Sequence, residues 1–105
     1  MATRELNAEN FQSSITDNDF VIVDFWAPWC GPCRSFAPTF EAISEQHPEI
    51  VFAKVDTEAQ TSIAAAFNIR SIPTLMVFRG GVPVASLVGA VPRQKLEELV
   101  ARHTA

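Results

Sequence analysis

Two kinds of hydrophobic pattern alternate along this chain. Val21-Ile22-Val23-Asp24-Phe25-Trp26 is apolar on both faces except at Asp24, and Val51 to Val55 reads the same way except at Lys54. Runs of this kind belong to strands in a sheet covered on both sides. Thr74 to Phe78 and Val82 to Val88 read as two further strands joined at Gly80-Gly81. That glycine pair suits a tight hairpin turn with positive φ at both central residues. Pro83, early in the last run, marks an edge strand. Arg4 to Leu6 reads as a short first strand. Between these runs the apolar spacing is helical. Helices are expected from Ala8 to about Ile15 with Asn7 as N-cap, and from Gly31 or Pro32 to about His47. The second presents Phe36, Phe40 and Ile43, contains Pro38 as a kink, and stops before Pro48. Thr57 caps a helix from Glu58 to Phe67, and Pro92 opens a last one to about His103 with Leu96, Leu99 and Val100 inward. Strand–helix alternations followed by a hairpin and a helix predict an α/β fold: a mixed central sheet of about five strands with helices on both faces.

Composition narrows the picture. With 105 residues, 48% of them hydrophobic, the chain is expected to form a single domain over 1–105. A chain of this size buries roughly two-thirds of the surface its unfolded form exposes, so it needs no stapling by metals or several disulfides. The net charge of −4 and the scattered basic residues argue against nucleic-acid binding. The polar stretch from Met1 to Gln12 has no apolar core of a leader, and no run is long enough to cross a membrane. The expectation is a cytoplasmic monomer, in a compartment where thiols stay reduced and a cysteine pair is catalytic or metal-binding.

The chain has two cysteines, in Trp29-Cys30-Gly31-Pro32-Cys33, after a strand-like run and before a helix-like one. If the helix begins near Cys30, the two sulfurs lie one turn apart on one face. At a helix N-terminus the free N–H groups and the macrodipole favour a thiolate. The dipole contributes roughly 0.3–2 kcal/mol, enough to lower a thiol pKa by about one. A further lowering needs a hydrogen bond to the Cys30 sulfur from the Cys33 thiol. Pro32 fixes φ in the first turn, where no N–H partner is needed. A purely structural bridge over four residues contributes only about 2 kcal/mol, against about 4.7 for a 100-residue loop. A zinc site needs two more ligands, and His47 and His103 lack paired spacing. Haem attachment needs a histidine where Arg34 stands. The pair therefore reads as a redox dithiol with no metal.

At this point the chain resembles the thioredoxin family. The likeness is carried by Asp24 to Cys33, Pro38, Ala53-Lys54-Val55-Asp56, Ile72-Pro73-Thr74, Gly80-Gly81 and Val88-Gly89-Ala90, in family order and spacing. The Cys-x-x-Cys motif and its lowered thiol pKa are known features of that family. The resemblance implies a thioredoxin fold and a general protein-disulfide reductase acting on oxidised protein substrates. It implies no bound cofactor, with FAD and NADPH entering only through a thioredoxin reductase partner. Carried over by position, Cys30 is the attacking thiol and Cys33 the resolving thiol. Arg34 stands where a lysine is common, and tyrosine is absent.

Around the pair, Asp24 is the anomaly. It is either a proton acceptor for Cys33 with a raised pKa or a carboxylate that finds solvent at the strand end. Lys54, on the expected neighbouring strand, either pairs with Asp24 or is simply solvated. The resemblance implies a cis Ile72-Pro73 bond, with the Ile72 backbone offered to an extended substrate segment as in strand addition. Trp29, Gly31, Pro32, Ile72, Pro73, Gly89 and Ala90 form the expected substrate surface around Cys30. Gly89 permits close approach of a substrate. Two alternatives stand against the reductase: a docking module or subunit on the same fold, whose redox activity is incidental, and an oxidant or isomerase on that fold, against which the Gly-Pro dipeptide and the expected lack of a signal peptide argue.

Overall fold

The computed structural model describes residues 2–104. The elements run β1 (Arg4–Glu5), α1 (Phe11–Thr16), β2 (Phe20–Trp26), α2 (Gly31–Gln46), β3 (Val51–Asp56), α3 (Thr61–Ala66), β4 (Thr74–Arg79), β5 (Val82–Val88) and α4 (Arg93–Thr104). The strands form one sheet in the order β1-β3-β2-β4-β5. β3 runs parallel to both β1 and β2, as strands joined through helices do, while β4 and β5 are antiparallel additions. The mixed sheet with helices on both faces is the architecture that the alternating pattern predicts.

Because strand side chains alternate between faces, β2 feeds two cores at once. Ile22 joins Phe36, Phe40 and Ile43 of α2 and Leu96, Leu99 and Val100 of α4 on one face. Val21, Val23 and Phe25 join Phe11 and Ile15 of α1 and Ile63 of α3 on the other. Asp24 follows the parity of Ile22, so it lies on the face that α2 covers. The sheet register extends this into a transverse row, Glu5–Lys54–Asp24–Leu75–Leu87, with one residue from each of β1, β3, β2, β4 and β5. Its charged half lies toward the β1 edge.

Two helices start later than their sequence suggests. Asn7 does not cap α1: its Oδ1 accepts the N–H groups of Glu9 (2.9 Å) and Asn10 (3.1 Å), which makes a turn, and the helix begins only at Phe11. Likewise α3 begins at Thr61 and not at Glu58. Asp56 Oδ1 takes the N–H groups of Glu58 (2.9 Å) and Ala59 (3.3 Å), while Thr57 Oγ1 donates to the Trp26 carbonyl at 3.1 Å. In both places a short polar side chain satisfies the local N–H groups and so competes with the first helical turn. The hairpin forms at Gly80 (φ +57°) and Gly81 (φ +84°). β5 is the edge strand, and the ladder shifts register between Val77 and Phe78, where Phe78 faces Pro83.

Candidate active site

β2 ends at Trp26, and a short loop returns the chain to Cys30, the N-cap of α2. Cys30 is extended (φ −84°, ψ 111°), and its Sγ accepts the Cys33 N–H at 3.2 Å. A sulfur thus occupies the place where an Asn, Asp or Ser oxygen usually caps a helix. Pro32 sits in the first turn. The Cα atoms of Cys30 and Cys33 are 5.2 Å apart, and the two sulfurs form a disulfide. That bridge is nearly enclosed: Cys30 is 4% exposed and Cys33 2%. Ala27, Trp26 and Ile72 pack around it.

The rim is apolar and open. Trp29 is 64% exposed, and its indole N–H donates to the Glu58 carboxylate at 2.6 Å, which ties the ring to the β3–α3 turn. The Ile72 carbonyl oxygen lies 3.9 Å from Cys30 Sγ, and the Ile72-Pro73 peptide is cis. Gly89 donates its N–H to the Pro73 carbonyl at 2.8 Å, tying the Gly89-Ala90 bend to the Ile72-Pro73 loop. Gly89 has φ +102°, a conformation that side chains disfavour, and no atom lies within 4 Å of where a Cβ would stand. The space over Gly31 is similarly open. Trp29, Gly31 and Pro32 flank Cys30 along the chain, Ile72 reaches its sulfur, and the Gly89–Pro73 bond ties the Gly89-Ala90 bend to the Ile72-Pro73 loop.

Asp24 is completely buried, and neither carboxylate oxygen has a hydrogen-bond partner. Burial pushes its pKa from 3.8 up to about 7; Lys54 opposes the rise and Glu5 adds to it. Lys54 is the register neighbour of Asp24 across β2 and β3. It makes no ion pair with it: the ammonium sits 4.5 Å from the centre of the Trp26 ring. Trp26 Nε1 in turn donates to Glu5 Oε2 at 3.1 Å. Neither Glu5 nor Glu58 is visible as a site residue in the sequence, because 21 and 29 residues separate them from the tryptophans they hold. Among the described residues no group of three or more His, Cys, Asp or Glu side chains comes together to hold a metal ion.

A dithiol at a helix N-terminus with an open apolar rim can exchange disulfides. Comparisons with known proteins agree with that chemistry. The Thioredoxin family model matches residues 2–102. The chain is 52% identical over 99 residues to putative thioredoxin 2 of Streptomyces coelicolor, covering 94% of this chain and 74% of that protein. It is 43% identical to thioredoxin 1 of Nostoc sp. over 104 residues, 97% of each. Among solved structures, a mutant thioredoxin from Halobacterium salinarum superposes with a TM-score of 0.92 at 32% identity, covering 98% of this chain and 91% of that one. Plasmodium falciparum thioredoxin gives 0.90 at 37% identity, covering 94% and 97%. By its fold, its Cys-Gly-Pro-Cys dithiol and these relatives, the chain belongs to the thioredoxin family of disulfide oxidoreductases.

Proposed function

We propose that this protein reduces disulfides in oxidised protein substrates, with Cys30 as nucleophile and Cys33 as resolving thiol. The observation that carries this reading is the Cys30 sulfur at the N-cap of a 16-residue helix, accepting the Cys33 N–H. The helix dipole and that N–H both favour a thiolate at Cys30. The Cys30 thiolate attacks one substrate sulfur and forms a mixed disulfide; the other substrate sulfur leaves as a thiolate and takes up a proton. Cys33 gives its proton to Asp24 through water, attacks Cys30 Sγ, closes the disulfide seen in the structure and releases the second substrate thiolate. Two electrons pass from the dithiol to the substrate. The acid with a pKa near 7 supports Asp24 as proton acceptor, since its affinity for the proton is matched to the working pH.

The exposed Trp29 and the Ile72 backbone beside Cys30 support recognition of an extended apolar segment. A thioredoxin reductase carrying FAD and using NADPH returns the two electrons. The setting is the cytoplasm, where such a reductase keeps dithiols reduced. Among the described residues no helix is long and apolar enough to cross a membrane.

Insulin reduction with dithiol-recycled protein tests the reading. Cys30→Ser is expected to abolish turnover, and Cys33→Ser to accumulate a covalent mixed disulfide. Insulin reduction by the parent protein no faster than the dithiol background, with neither substitution changing it, would overturn it and leave the docking-module alternative.

A further inference from the structure

Lys54 stands between two carboxylates. In the sheet it is the register partner of Asp24 on β2 and of Glu5 on β1, so the three share one transverse row. Opposite charge and adjacency favour a direct Asp24–Lys54 ion pair, yet the ammonium lies over the Trp26 ring instead. That ring is pinned by its N–H bond to Glu5. Glu5 and Lys54 also line a solvent-open cleft of about 440 Å³ between β1, β3 and α2.

We propose that Glu5 is a positioning residue for the resolving step, acting through Trp26 and Lys54 on the buried Asp24; this rests on the reading of Asp24 as proton acceptor. Two effects act in the same direction. The Glu5 carboxylate orients the indole on which the Lys54 ammonium rests and attracts that ammonium toward the cleft, away from Asp24. It also sets a negative charge two strands from Asp24, about 10 Å at the usual strand spacing. Each effect disfavours ionised Asp24 and keeps it a better proton acceptor for Cys33. The rise in the Asp24 pKa, to which Glu5 contributes, agrees with this.

The other charged groups around the row are few. β3 adds Asp56, which also acts on Glu5. α2 brings Arg34 and Glu41 to the cleft wall, and Cys33 to the covered face. β4 places uncharged Leu75 opposite Asp24.

The test follows single-turnover release from Cys30. The reduced protein is mixed with an aromatic disulfide whose thiolate absorbs visible light, and the second thiolate, expelled by Cys33, is timed across pH. Glu5→Gln keeps an oxygen for the Trp26 N–H and removes the charge. It is expected to shift the lower pH midpoint of this release step toward acid, whereas Lys54→Gln shifts it toward base. If Asp24→Asn eliminates that midpoint while Glu5→Gln leaves it unmoved or moves it toward base, the role of Glu5 is overturned and Asp24 stands. If Asp24→Asn leaves the midpoint in place, the proton-acceptor reading fails, and the role of Glu5 with it.

Discussion

A carboxylate sealed inside a sheet, with no donor in reach, resists ionisation, and Asp24 is such a group. Its pKa is 3.8 in the open and about 7 in the fold. The folded state therefore holds a proton that the unfolded chain gives up between these values, and stability falls as pH rises from about 4 to about 7. At about 1.4 kcal/mol per pKa unit, the full loss is about 4 kcal/mol. Asp24→Ala is thus expected to unfold at higher denaturant than the parent at pH 8, with the advantage shrinking toward pH 4, while disulfide turnover slows. Equal or lower stability of the variant at pH 8 would count against it. This anomaly is legible in the sequence because one acid interrupts an otherwise apolar run. The acids that hold the tryptophans are not: Glu5 and Glu58 stand in ordinary polar stretches, and only the sheet register and the β3–α3 turn bring them to Trp26 and Trp29.

Among the elements, α2 carries the chemistry and the β4–β5 hairpin closes the sheet beside it. The hairpin glycines differ in what surrounds them. At Gly80 (φ +57°) nothing lies within 4 Å of a built Cβ, whereas at Gly81 (φ +84°) that atom would stand 3.0 Å from Thr16 Cγ2. Gly81→Ala is expected to lower stability by about 1–3 kcal/mol, because the left-handed backbone adds strain to the clash with α1. Gly80→Asn, a residue that tolerates this backbone region, is expected to change it far less. Chemical denaturation of the two variants checks the order, and an equal loss in both would refute the argument. The hairpin was legible because its backbone demands glycine. The starts of α1 and α3 were not, since Asn7 and Asp56 have two ways to satisfy nearby N–H groups, and the turn prevailed over the helix cap.

At the scale of the whole molecule, two cores on opposite faces of one sheet hold the fold, and the disulfide adds little. A bridge closing four residues contributes about 2 kcal/mol. Truncating a fully buried phenylalanine such as Phe40 costs about 3–5 kcal/mol. Reduction of Cys30–Cys33 is expected to leave the far-ultraviolet circular dichroism unchanged and to lower the denaturation midpoint by less than Phe40→Ala does. A carrier that opens and closes its bridge in every cycle requires that ranking. What the sequence by itself determined was local or periodic: buried strands, helix faces, the paired thiols one turn apart, the glycine turn, and an acid too polar for its run. Tertiary structure alone decided the rest. Sheet order and register put Glu5, Lys54 and Asp24 in one row. Packing laid the Lys54 ammonium over Trp26 where opposite charges favoured an ion pair. The Ile72-Pro73 loop, tied to Gly89, met the start of α2 at Cys30. These relations join residues far apart along the chain, and chain closure and strand pairing fix them, whereas periodicity records only what lies within a few residues.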